Sequence, residues 1–125
     1  MTDTERTRTI TWNDPRIGAR DVGSISGLDF LKSIIDGRID TPPAAILLGY
    51  QIVAIRSGFA AFELNPQEYH YNPFAMVHGG IISTLLDTTM TCAVLTTLPK
   101  GVVFNDRNQS EFHSANNGRD RALAL

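Results

Sequence analysis

The stretch from Asn72 through His78-Gly79-Gly80 to Asp87 holds the residue types best placed to do chemistry. Two adjacent glycines precede an apolar run, and a single carboxylate, Asp87, is set inside that run. Glycines at a helix start leave backbone N–H groups bare, and the helix dipole there favours negative charge. A carboxylate two turns further on can act as base or nucleophile when its surroundings are partly dry. Together they suit attack on a carbonyl whose oxygen rests at the helix start.

Plainer readings compete with each residue. A glycine pair before a helix often serves only a tight turn, and an aspartate in a helix often faces water. The residues sharing Asp87's face (Gly80, Ser83, Thr84 and Thr91) are small and would let a substrate approach the backbone. His78 could be a base or a metal ligand; the simpler expectation is a local hydrogen bond that shapes the turn. His70 and His113 give no metal spacing with it, and Cys92 reads as a small buried residue, so no metal is expected. Ser83 is not in a nucleophile elbow, and no glycine-rich phosphate motif is present.

These groups need elements to position them. The pattern predicts a helix from Ser26, whose side chain can cap it with Asp29 three positions on, as in a capping box. Leu28, Leu31, Ile34 and Ile35 follow at helical spacing, and Gly37 ends the run. After Pro42-Pro43, Ala44 to Gly49 reads as a short second helix. Gly49 to Leu64 reads as a hairpin with its turn at Ser57-Gly58. An aromatic loop, Tyr69-His70-Tyr71-Asn72-Pro73, leads to the glycines. From Gly80 to Leu98 the period is helical. Ile81, Ile82, Leu85, Leu86, Thr89, Met90, Ala93 and Val94 make a broad apolar stripe opposite Asp87's face. Val102-Val103-Phe104 is predicted to begin a strand.

The bulk numbers bound the class. The chain has 125 residues, 42% hydrophobic and 19% charged, with net charge -2, which suits one modest globular domain. Nothing in that charge favours nucleic acid or an anionic membrane. One cysteine excludes an intrachain disulfide framework, and the polar amino terminus shows no secretory h-region. The cytoplasm is the expected compartment. Residues 1–25 read as a flexible leader, 26–104 as the domain, and 105–125 as an aberrant tail with neither a strand nor a helix period.

The helix around Ser26 to Gly37, the Pro-Pro break, the hairpin and the Asn72…His78-Gly79-Gly80…Asp87 string together resemble the hotdog-fold acyl-CoA thioesterases. The phenylacetate-pathway branch of the 4-hydroxybenzoyl-CoA thioesterase superfamily is the nearest in pattern, over roughly residues 26–104. The resemblance implies an α+β fold in which an antiparallel sheet wraps a long central helix. It also implies homodimers or homotetramers with the active site between protomers. It gives Asp87 the role of nucleophile or general base, and Gly79 that of the N–H donor to the thioester carbonyl. Asn72 would hold the acyl group or the attacking water. His78, Gly80 and Ser83 would complete the substrate-binding turn. The implied reaction is hydrolysis of acyl-CoA to a free acid and coenzyme A, without cofactor. A non-catalytic hotdog module that binds acyl-CoA or another protein is the alternative. A dehydratase of the same fold lacks its motif here. Tyr69, Tyr71 and Phe74 hint at an aromatic-lined acyl entrance, although loop aromatics are commonly surface residues.

After Phe104 the resemblance stops, although the family continues with several long strands. Reading the codons of residues 105–117 one base later permits threonine-threonine-glutamate-isoleucine-asparagine-leucine-asparagine-phenylalanine-isoleucine-arginine-proline-isoleucine-threonine. That string has the alternation of a strand with an arginine-proline turn. The expectation is a shifted, prematurely ended reading of a thioesterase gene. It would leave the hotdog fold incomplete, the chain poorly soluble and its activity small.

Overall fold

The computed structural model describes residues 4–103. It is mixed α+β. The element order is α1 (Pro15–Ala19), α2 (Gly27–Ile35), α3 (Pro43–Leu48), β1 (Tyr50–Arg56), β2 (Phe59–Leu64), a 3-10 turn at Glu68–His70, and α4 (Gly79–Leu95). β1 and β2 pair antiparallel as a two-stranded sheet, and α4 packs against it, chiefly on β2.

Local chemistry explains most boundaries. Ser26 caps α2 by accepting a hydrogen bond from the Asp29 N–H at 3.1 Å. Pro43 opens α3, and Gly49, at φ 79°, closes it in the left-handed region. A bulge between Ile52 and Ala54 shifts the hairpin register by one residue. The shift changes the strand's phase, so Tyr50, Ile52 and Ile55 face inward although their spacing is not strictly two. The hairpin turn is tied to the end of α4 by Thr96, whose buried hydroxyl accepts from the Gly58 N–H at 2.8 Å. Leu31, Ile39, Ala45, Tyr50 and Ala60 form a small core where α2, α3 and the hairpin meet.

Two stretches differ from expectation. Residues 15–19, placed in a loose leader, form α1. Asp14 caps it and Pro15 stands at its first position, a start signal that needs no periodic pattern. Ahead of it, Arg8 donates to the carbonyls of Ile46 and Leu47 at the end of α3 and stacks 4.3 Å over the Tyr69 ring. Val102-Val103 does not begin a strand. The chain there turns back, with the Gly101 N–H donating to the Gly23 carbonyl at 2.8 Å. Phe104 and the tail 105–125 lie outside the described residues.

The apolar stripe of α4 is also divided. Ile81, Leu85, Thr89 and Ala93 are half-buried, whereas Ile82, Leu86, Met90 and Val94 stand 50%, 56%, 62% and 50% exposed. Thr84, expected beside Asp87, is half-buried as well. A two-stranded sheet is too narrow to cover a stripe of this width. Burying such a side chain fully is worth about 1.5–3 kcal/mol, so the four half-exposed ones leave roughly 3–6 kcal/mol unrealised. That rivals the lower range of a domain's total stability, about 5 kcal/mol. The chain is therefore expected to self-associate without fixed stoichiometry. Leu86→Lys with Met90→Lys should raise soluble yield and reduce light scattering. A parent chain that is monodisperse and melts cooperatively would contradict this.

Candidate functional site

His78 is the N-cap of α4. Its Nδ1 accepts from the Gly80 N–H at 2.8 Å, which places the ring proton on Nε2. Its own N–H donates to the His70 carbonyl at 2.8 Å, and its carbonyl accepts from Ile81. Of the open readings for this residue, the geometry shows the local turn. A Cβ at position 80 would lie 3.0 Å from His78 Nδ1, so the cap itself favours glycine there.

Gly79 is different. A Cβ there would meet nothing within 4 Å, and its φ is not positive, so neither space nor backbone requires glycine. Its N–H has no acceptor among the described residues. The first free donor of α4 therefore faces open solution, next to the positive end of a 17-residue helix. An oxyanion or polarised carbonyl oxygen is the group such a donor accommodates.

Ser83 and Asp87 follow at four-residue steps from Gly79 on one exposed face of α4. Ser83 Oγ donates to the Gly79 carbonyl at 2.9 Å, so its proton is engaged and only its lone pairs remain for a ligand. Asp87 is exposed and has no ion pair or hydrogen bond among the described residues. Eight residues of helix rise put it about 12 Å from Gly79 along the axis. The turn brings His78, Gly79 and Gly80 together. It does not bring Asp87 to them, and one chain does not enclose the carboxylate in a dry pocket.

Asn72 builds the loop. Its Oδ1 accepts from the N–H groups of Phe74 at 2.9 Å and Met76 at 3.2 Å, and its N–H donates to the Met76 carbonyl at 2.7 Å. These bonds hold Ala75 at φ 57°, which costs a non-glycine residue about 1–2 kcal/mol. The expected task of holding an acyl group or a water falls to its Nδ2 alone. Of the loop aromatics, Tyr69 lies under Arg8, while Phe74 at the loop tip is 78% exposed.

Two positioning residues carried almost no signal in the sequence. His70 is 2% exposed; its Nδ1 accepts from the Gln67 N–H at 3.0 Å and its Nε2–H donates to the Leu48 carbonyl at 2.7 Å. Its carbonyl then receives the His78 N–H, so His70 links the end of α3 to the start of α4. Gly27, at the first position of α2, lies against the Leu95 carbonyl at the far end of α4. An isolated glycine after a serine gives no hint of that contact.

Cys92 sits half-buried on the packed side of α4. Burial, and secondarily the negative charge of Asp87, pushes its thiol up to about 11. At neutral pH it should alkylate on the order of a hundredfold more slowly than an ordinary cysteine, because only the thiolate reacts. Asp87→Asn should move the midpoint of the labelling rate downward. A native midpoint at the ordinary thiol value would refute this.

Among the described residues no three His, Cys, Asp or Glu side chains converge on a metal-sized site. No described helix is long and apolar enough to cross a membrane. Comparisons with protein-family models, with curated proteins and with solved structures returned no match.

Proposed function

We propose that this chain derives from an acyl-CoA thioesterase of hotdog architecture, with the Gly79 N–H polarising the thioester carbonyl and Asp87 acting as base or nucleophile. The observation that carries the reading is the bare Gly79 N–H at the start of α4, where nothing in the packing calls for glycine. The N–H groups of a first turn point out of the helix start, away from Asp87. A carbonyl held there is more than two turns from the carboxylate of the same chain, so the N–H and the carboxylate that meet one thioester come from two copies. That arrangement agrees with the dimer-interface site that the resemblance implies, and it supplies the drier surroundings Asp87 lacks in one chain.

The tail belongs to the same reading. Sequencing the gene across codons 105–117 is expected to show that a one-base shift restores the strand string, and codons incompatible with it would refute the shift. The full-frame chain should release free coenzyme A from an acyl-CoA in a panel of phenylacetyl, hydroxybenzoyl and medium-chain thioesters. Tight binding of these thioesters with no thiol release would favour the non-catalytic binding module instead.

A further inference from the structure

A cavity of about 260 Å³ opens between α2, α3, the hairpin and the packed side of α4. It is partly open to solvent, so it is a pocket that a small molecule can enter rather than a sealed void. Its cause is legible in the side chains. Ala45, Thr88 and Cys92 face it from α3 and α4, three small residues where larger ones would close the gap. Leu31, Ile52 and Phe62 supply its apolar wall. The Tyr50 and Phe62 rings, in edge contact at 6.0 Å, brace it on the sheet side. No residue lining it carries a formal charge at neutral pH. The hydroxyls of Thr41, Tyr50 and Thr88, all lining it, have no hydrogen-bond partner among the described residues, although Thr89, next to Thr88, donates to the Leu85 carbonyl at 2.7 Å. A few free hydroxyls in a mostly apolar, uncharged pocket are the pattern of a small-molecule site.

We infer that this pocket binds a neutral, mostly apolar small molecule bearing one hydrogen-bond acceptor, which a lining hydroxyl, Thr88 on α4 among them, receives. A dry apolar cavity of about 150 Å³ takes a benzene ring, so this one has room for a ring with a short substituent. A carboxylate or ammonium ligand would lose its hydration without a counter-charge and is excluded. The site is separate from the proposed thioester site: Gly79, Ser83 and Asp87 do not line it. Neither does any of the four exposed ridge residues of α4, so self-association through that ridge leaves it accessible.

Acetophenone is the probe and benzoate its charged counterpart. Cys92, a lining residue, is the reporter. In the Leu86→Lys, Met90→Lys background, whose changes do not line the pocket, saturating acetophenone should slow alkylation of Cys92 at least about threefold and raise the melting temperature, whereas benzoate should do neither. Thr88→Leu, which fills the cavity and removes the hydroxyl, should abolish both effects. Should that variant not fold, Cys92→Leu fills the cavity from one turn further on and must abolish the melting shift. Equal protection by acetophenone and benzoate, or no response to acetophenone in that background without a filling substitution, would overturn the inference. So would a response that survives in a folded, filled variant. None of these outcomes depends on thioester hydrolysis.

Discussion

Gly27→Ala is expected to destabilise the domain by about 3 kcal/mol or more, the largest loss expected from a methyl group at any described glycine. A Cβ at position 27 would lie 1.9 Å from the Leu95 carbonyl oxygen and 2.7 Å from its carbon. Those are backbone atoms at the end of α4 and cannot swing aside. The Gly27 N–H also donates to the Leu98 carbonyl at 2.9 Å, so the start of α2 and the end of α4 are fastened at their point of closest approach. Overpacking a core typically costs about 1–3 kcal/mol when side chains can repack. Here two helices must separate, which places the cost at or above the upper end. The better helix propensity of alanine, about 1 kcal/mol, does not offset that. Gly79→Ala is the matched control: nothing lies within 4 Å of the new methyl, so stability should stay level or rise slightly. Urea denaturation of both variants, in the Leu86→Lys, Met90→Lys background that keeps the chain dispersed, makes the comparison. A Gly27→Ala midpoint equal to the parent's would show that the α2–α4 contact is looser than this structure has it.

The contrast between those two glycines marks how far the sequence could be read. Elements announced by local chemistry were legible. Ser26 with Asp29, the Pro42-Pro43 break, the Ser57-Gly58 turn and the glycine-led α4 all fall where their residue types place them. Helix α1 was not, because Pro15 and Asp14 start it without any apolar period to extend it. The spacing on α4 presents its stripe as one face, but its covering depends on sheet width, and sheet width is not encoded in the helix. The candidate site divides in the same way. The turn of His78, Gly79 and Gly80 is local and follows from its spacing. The resemblance assigns Asn72 to the substrate, yet its Oδ1 is taken by two loop N–H groups that only the folded loop reveals. His70 and Gly27 act through partners 22 and 68 residues away in sequence, His70 on Leu48 and Gly27 on Leu95, and no spacing rule reports such contacts.

Asp87→Asn is expected to have the largest effect on activity. The substitution keeps the size and exposure of the side chain but removes the charge that a base or nucleophile needs. Losing a positioned acid–base group costs about 10²–10⁴-fold in rate, roughly 3–5 kcal/mol of barrier. Asparagine leaves the helix start unchanged, so binding through the Gly79 N–H should persist, and the loss should appear in kcat rather than in KM. Gly79→Ala should also lower kcat, because the N–H binds the carbonyl oxygen most strongly as negative charge develops on it. Its methyl obstructs the approach to the free N–H, weakening the contact with the carbonyl while the carboxylate remains.

The most direct measurement is coenzyme A release by the full-frame chain and its Asp87→Asn variant, with acyl-CoA binding measured on the same samples. The account predicts that hydrolysis falls by at least about a hundredfold in the variant while the dissociation constant stays within a few-fold. Hydrolysis that survives the substitution unchanged would contradict it.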